Sequence, residues 1–180
     1  GEYSLLDKIL NHFWKNVVEL LPMWLAPNMV TLLGLIALGG SYATMLWYDL
    51  SMTQYLPTWT YLAVGIGIFV FQTLDAIDGK QARRTDSSSP LGQLFDHGCD
   101  AISWTITNLS VVSFLQLGLS NNAILAVIAS CCPFFQTNLL EYYSGVYEYS
   151  IAAAIDPTSG QILLITFNLL IFQPSVNTLE

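Results

Sequence analysis

Trp59-Thr-Tyr-Leu-Ala-Val-Gly-Ile-Gly-Ile-Phe-Val-Phe-Gln-Thr-Leu74 carries no charge and runs straight into Asp75-Ala-Ile-Asp78-Gly79-Lys-Gln-Ala82-Arg83. A second pair of carboxylates follows in Gly92-Gln-Leu-Phe-Asp96-His97-Gly-Cys-Asp100. The apolar stretch is long enough for a buried or membrane-crossing helix, and the carboxylates stand at its exit. Aspartate is costly near hydrocarbon, so four of them there mark a functional site. Their spacing points to divalent cations, and the neighbouring basic residues point to a phosphorylated substrate.

Composition supports a membrane setting. Hydrophobic residues make up 53% of the 180 and charged residues only 10%, against about a quarter charged in a soluble domain. No Asp, Glu, Lys or Arg falls between Glu19 and Asp49, Asp49 and Asp75, Asp100 and Glu141, or Asp156 and Glu180. Each window holds the roughly 20 mostly apolar residues that a spanning helix needs. The net charge of −8 argues against nucleic acid as a partner, because a phosphate-binding surface is basic. Cys99, Cys131 and Cys132 lie in or beside apolar segments without ligand spacing, and read as small apolar residues outside any disulfide framework. The chain opens on Gly1 without a basic, apolar and small-residue leader, so the sequence reads as a fragment or trimmed piece with no signal peptide.

Residues 4–20 have the pattern of an amphipathic helix. Leu5, Leu6, Ile9, Leu10, Phe13, Val17 and Val18 share one face, and Asp7, Lys8, Asn11, His12, Lys15, Asn16 and Glu19 take the other. This is either an ordinary surface helix or one lying in the membrane interface, and the adjoining span favours the second. His12 reads as a solvated residue of the polar face. Five spans are predicted, near 29–47, 59–74, 101–117, 123–140 and 161–172. Pro57 starts the second, where its missing N–H is harmless, and turn residues at 118–122 separate the third from the fourth. The fold class expected is all-α: a polytopic transmembrane helical bundle with an N-terminal interfacial helix.

All five basic residues, Lys8, Lys15, Lys80, Arg83 and Arg84, precede the first span or follow the second. Two crossings return the chain to one side, so the positive-inside rule places both groups in the cytosol. The carboxylates then open to the cytosol, and the loop holding Asp49 faces the other compartment.

Asp75 and Asp78 lie three residues apart, Asp96 and Asp100 four apart, so each pair occupies one helix face. Ser87-Ser-Ser-Pro90 marks a turn between the pairs, allowing a hairpin in which all four carboxylates converge. Such an oxygen-only set suits Mg²⁺ or Mn²⁺ rather than zinc, and two ions about 4 Å apart can clamp an in-line phosphoryl displacement. Small Gly79 and Ala82 permit close approach of a nucleotide, and Arg83 offers a planar fork to phosphate oxygens. Lys80 and Arg84 either add attraction or are solvated flanking charge. His97, beside Asp96, is a candidate general base, with a structural role as the alternative. On these residues alone, a transporter with intramembrane acids and acids that merely pair with Lys80, Arg83 and Arg84 stay open. A match at eight specified positions weighs against both.

The pattern Asp75-x-x-Asp78-Gly79-x-x-Ala82-Arg83, eight residues, Gly92-x-x-x-Asp96-x-x-x-Asp100 resembles the signature of the CDP-alcohol phosphotransferases (class I). The strings LDAIDGKQARRT and SSSPLGQLFDHGCD are similar to those of its eukaryotic choline and ethanolamine phosphotransferase branch. Ala26-Pro27-Asn28-Met-Val-Thr31 resembles the family's motif ahead of the first span. The resemblance implies that Asp75, Asp78, Asp96 and Asp100 hold two Mg²⁺ ions, with Mn²⁺ as a substitute. It implies that Asn28 and Arg83 contact the CDP-alcohol phosphates, while Gly79, Ala82 and Gly92 make room for nucleotide and helix packing. His97 is the implied acceptor of the lipid hydroxyl proton; elsewhere in the family that role is given to the last aspartate, here Asp100. The implied reaction passes phosphocholine or phosphoethanolamine from CDP-choline or CDP-ethanolamine to diacylglycerol and releases CMP.

The implied setting is the bilayer of the endoplasmic reticulum or Golgi, with a homodimer among the expectations. The chain divides into the interfacial helix, 1–20, and a catalytic domain, 21–180, expected to be C-terminally incomplete because the branch carries further spans. Two other readings follow: a different acceptor such as inositol, and a truncated, catalytically silent nucleotide binder. Ser159 in Asp156-Pro-Thr-Ser159-Gly stands where the branch often has a glutamate; Glu141 and Glu148 could replace that glutamate, or be solvated.

Overall fold

The computed structural model describes residues 5–144 and 157–171. Among the described residues there are six helices: α1 Leu5–Glu19, α2 Pro27–Tyr48, α3 Thr58–Arg84, α4 Pro90–Phe114, α5 Asn121–Ser144 and α6 Pro157–Ile171. No strand occurs among the described residues. Each of the five expected segments falls on a helix among the described residues, the third stopping at Phe114, and two helices are longer than their apolar runs. α3 continues past Leu74 to Arg84, because side-chain charge does not interrupt backbone i to i−4 hydrogen bonds. It stops at Thr85, whose N–H donates to the Gln81 carbonyl at 2.9 Å, and Asp86 turns the chain with φ 52°. α4 begins at Pro90, after the expected turn and ahead of the Asp96 and Asp100 pair that leads into the third span: Ser89 caps it by accepting from the Gly92 N–H at 3.1 Å, and Pro90 occupies the first turn.

α3 is the central helix and packs against α1, α2 and α6. Its seam with α2 buries Leu38, Tyr42, Met45, Tyr61, Val64, Ile68 and Phe71. Close approach is built in at Gly67, where an added Cβ would lie 2.1 Å from the Ser41 Oγ. A smaller apolar cluster of Trp14, Val18, Val30 and Ile77 seats α1 against α2 and α3. α4 joins α5 through polar contacts: the Trp104 indole N–H donates to the Ser130 carbonyl at 3.2 Å, and the Ser130 hydroxyl to the Asn108 Oδ1 at 2.8 Å. The loop after α4 turns at Gly118, with φ 57°, where a side chain would meet the Thr53 Cγ2 at 2.8 Å.

Among the described residues three helices, α2, α3 and α5, are long and apolar enough to cross a membrane. The outer surface agrees with hydrocarbon surroundings: Trp47 is 89% exposed, Leu125 63% and Ile66 52%, a distribution that water does not tolerate over so wide an area. The chain is a helical membrane protein. The expected count of five spans is not reached by this measure. α4 has 25 residues, but its apolar stretch is diluted by Ser103, Thr105, Thr107, Asn108, Ser110 and Ser113. The described part of α6 has 15 residues, about 22 Å at 1.5 Å per residue.

Aromatic residues mark the two ends. Trp47, Tyr48, Tyr55 and Trp59 gather where α2 hands over to α3, with Tyr48 and Trp59 edge to face at 5.9 Å. Exposed Trp24 lies at the start of α2. Such residues settle at the headgroup level, and the 22 residues of α2 span about 33 Å, close to the hydrocarbon thickness. Asp75 and Asp78, late in α3, therefore lie toward the end marked by Trp24.

Candidate functional site

The 85–89 turn folds α4 back beside α3, which brings together carboxylates that the sequence separates. Oxygens from Asp75, Asp78 and Asp96 lie within 4.8 Å of one another. Asp100 reaches the same cluster, with its carboxyl against that of Asp75. The Asp75 Oδ1 and Asp96 Oδ1 atoms are buried without a protein hydrogen-bond partner. An orphaned buried carboxylate oxygen is costly, and four crowded carboxylates repel one another. A divalent cation relieves both problems, and hard oxygen donors are the set such a cation prefers. The residues present fit a metal ion.

Asp78 is held from the neighbouring helix, where Thr31 donates its hydroxyl proton to the Asp78 Oδ2. Thr31 is itself buried and sits one turn into α2. Its position inside Ala26–Thr31 was legible in the sequence, but its role was not, because the bond crosses 47 positions.

A cavity of about 710 Å³ opens beside the cluster. Asp78 and Asp96 form its floor, Asn28 one wall, and Gly79, Ala82 and Arg83 the other, with Gly92 near the start of α4. All five residues assigned to substrate thus line one cavity. Arg83 is exposed and belongs to the last turn of α3. Gly92 is enclosed: an added Cβ would sit 3.3 Å from the Ser89 Oγ and 3.6 Å from the Asn28 Oδ1. Ser87, Ser88 and Ser89, read in the sequence only as a turn, also line the cavity.

His97 is half-buried on α4 and does not line the cavity, although it lies close enough to Asp100 to interact electrostatically. Asp75 and Asp100 belong to the cluster but do not line the cavity. Ser159, in the first turn of α6, is half-buried and away from the cavity lining. Glu148 and Asp156 lie outside the described residues, as does the side chain of Glu141. Lys80 is turned away from the cavity: its ammonium donates to the Ala76 carbonyl at 3.2 Å and lies 5.5 Å from the centre of the Trp14 ring. Arg84 pairs with Glu19 at 3.3 Å.

The sequence model described as CDP-alcohol phosphatidyltransferase matches residues 24–178. The chain is similar to cholinephosphotransferase 1 of Xenopus laevis, with 42% identity over 164 residues that cover 88% of this chain and 39% of that protein. It is 38% identical over 160 residues to cholinephosphotransferase 1 of Saccharomyces cerevisiae, covering 89% and 40%. Against cholinephosphotransferase 1 of Homo sapiens the identity is 38% over 167 residues, covering 90% and 39%. The chain spans about two fifths of the length of these curated relatives.

Proposed function

Because the chain belongs to the CDP-alcohol phosphatidyltransferase family, we propose that the protein transfers phosphocholine or phosphoethanolamine from the matching CDP-alcohol to diacylglycerol. The observation that carries this reading is the aspartate cluster, two of whose members, Asp78 and Asp96, line the same cavity as Asn28, Gly79, Ala82 and Arg83. The names of the relatives favour choline as the head group.

Asp75, Asp78, Asp96 and Asp100 hold two divalent cations, Mg²⁺ by preference, which supply neutralisation of pyrophosphate charge when bound. Arg83 and the Asn28 amide grip the phosphates at the mouth of the cavity, and Gly79 and Ala82 leave space for the nucleotide against α3. The diacylglycerol hydroxyl oxygen attacks the β-phosphorus. The bond from that phosphorus to the bridging oxygen breaks, and CMP leaves with the bonding electrons. His97 takes the hydroxyl proton, with Asp100, its electrostatic neighbour, as the other acceptor. The products are CMP and a phosphodiester lipid.

The cavity lies toward the end of the bundle where all five basic residues gather in the sequence, which supports a cytosolic opening under the positive-inside rule. The endoplasmic reticulum is the membrane that the choline and ethanolamine branch implies. α1 lies in the interface there, with Trp14 and Val18 turned to the bundle and exposed Phe13 beside Phe69 at 6.3 Å. α4 crosses with the others, its hydroxyls satisfied within the helix or by neighbours.

The test is CMP release from CDP-choline and CDP-ethanolamine in detergent with diacylglycerol, with Mg²⁺ or with EDTA. Release that needs both the cation and diacylglycerol is expected, faster with CDP-choline. Nucleotide binding without release from the full-length protein would mean a silent binder, and release that follows an inositol acceptor instead would reassign the substrate.

A further inference from the structure

We propose that Gln81 and Arg84 are positioning residues that set the width of the nucleotide cleft by holding the α1–α2 linker against α3. The inference rests on the reading of the cavity as a CDP-alcohol site. Gln81 has no exposed surface, and its amide donates to two backbone carbonyls, Pro22 at 3.0 Å and Leu25 at 3.1 Å. Both amide protons are used. One turn further along α3, the Arg84 Nη1 donates to the carbonyls of Val18 at 2.9 Å and Leu21 at 2.8 Å. The Gln81 Oε1 lies 3.5 Å from the same nitrogen, which ties the two side chains together.

The four acceptors belong to the last turn of α1 and the linker that follows it. The Val18 and Pro22 carbonyls also accept from the Leu21 and Leu25 N–H groups at 3.1 Å, but these single turns shape the linker locally and do not tie it to α3. That tie is made by two side chains of α3. The residue after Leu25 is Ala26, which lines the cavity and is followed by Pro27 and Asn28 of the same wall. The opposite wall, Gly79, Ala82 and Arg83, is carried by the turns of α3 that bear Gln81 and Arg84. One helix segment therefore supplies one wall and fastens the other at a fixed distance.

Stability alone does not call for this arrangement. Trp14, Val18, Val30 and Ile77 already pack α1 on α2 and α3 through apolar burial. Apolar contact tolerates sliding, whereas paired hydrogen bonds to named carbonyls fix position to within tenths of an ångström. Misplacement of a binding group by about 1 Å costs a large factor in rate. The exposed Glu19 partner of Arg84 contributes little, since a pair of this kind is largely screened.

The experiment uses full-length protein in detergent and compares Gln81→Met, Arg84→Met and Arg84→Lys with wild type. CDP affinity is measured by titration calorimetry, KM separately for CDP-choline and diacylglycerol, and amide exchange over 20–26. Gln81→Met and Arg84→Met are expected to weaken CDP binding and raise the CDP-choline KM about tenfold, the worth of one or two hydrogen bonds. The diacylglycerol KM stays near wild type, exchange over 20–26 speeds up, and Arg84→Lys retains part of the affinity. If Gln81→Met fails to fold, the half-buried Arg84 decides on the same readouts. Unchanged CDP affinity, or equal losses for both substrates, overturns the positioning role. Absence of CDP binding by wild-type protein refutes instead the nucleotide reading on which it rests.

Discussion

Thr31 of α2 donates its hydroxyl proton to the Asp78 Oδ2 of α3, so the carboxylate at the floor of the cavity is oriented by the helix that also carries Asn28. A hydroxyl bonded to one carboxylate oxygen fixes which lone pair the carboxylate can offer to a metal. Thr31→Val keeps the shape and removes the donor. We expect the Mg²⁺ concentration for half-maximal CMP release to rise on the order of tenfold, while Thr31→Ser stays near wild type. A Mg²⁺ titration of both variants makes the comparison; equal behaviour of Val and Ser would remove Thr31 from metal binding.

Asp96→Asn should abolish turnover. The substitution removes a negative ligand at a position whose Oδ1 has no protein partner and whose carboxylate meets those of Asp75 and Asp78. Cation binding, followed by calorimetry, should weaken together with CMP release. Activity like wild type in this variant would sink the two-metal mechanism.

His97→Ala separates binding from proton transfer. His97 does not line the cavity, so CDP affinity should hold while transfer slows by a factor on the order of a hundred or more. Single-turnover CMP release is the measurement. An unchanged rate assigns the proton to Asp100.

Much of this site could be read in the sequence because its parts obey local rules. The spacing of Asp75 with Asp78 and of Asp96 with Asp100 puts each pair on one face, and the serines before Pro90 announce the turn that folds the pairs together. What escaped depends on contacts between distant segments. Hydropathy falls at Asp75, yet the helical spacing of Asp75 and Asp78 already carries α3 past the apolar run, and the structure extends it to Arg84. Gln81 carries no local signal of its burial: it is wholly buried, since its partners are carbonyls of a linker some 60 positions away. Trp14 was left off the apolar face of α1, whereas Trp14 and Val18, one turn apart, make the contact with the bundle and Phe13 remains 40% exposed. The hydroxyls and amide of α4 stand in the sequence, but their partners do not: Trp104 and Asn108 join it to Ser130 of α5.

Gly67 tests the packing that carries the site. A methyl there would lie 2.1 Å from the Ser41 Oγ and 2.8 Å from its Cβ, so α2 and α3 must separate. Gly67→Ala is expected to cost about 1–3 kcal/mol through overpacking, outweighing the gain in helix propensity of about 1 kcal/mol. The loss should appear as a lower Tm in detergent. Ser41→Gly in the same chain should restore most of it, because both offending atoms are then gone; no recovery would place the strain elsewhere.

At the opposite end of the bundle, Asp49 gives a prediction with a definite sign in pH. Its carboxylate accepts from the Ser51 hydroxyl at 2.5 Å and from the backbone N–H groups of Ser51, Thr53 and Gln54 at 2.7–2.8 Å. The Ser51 hydroxyl is the main cause, with the backbone donors adding to it, that lowers the Asp49 pKa from an ordinary 3.8 to about 2. The folded state therefore favours the charged form. Its contribution is complete above the unfolded value of 3.8 and is lost as pH falls through about 2. Asp49→Asn keeps one acceptor and turns an amide toward the N–H groups of Thr53 and Gln54. It should lower the Tm at neutral pH, and the gap to wild type should close as pH drops below 3.8 toward 2. A gap of constant size across that range would show that the charge of Asp49 does not hold the 49–54 turn.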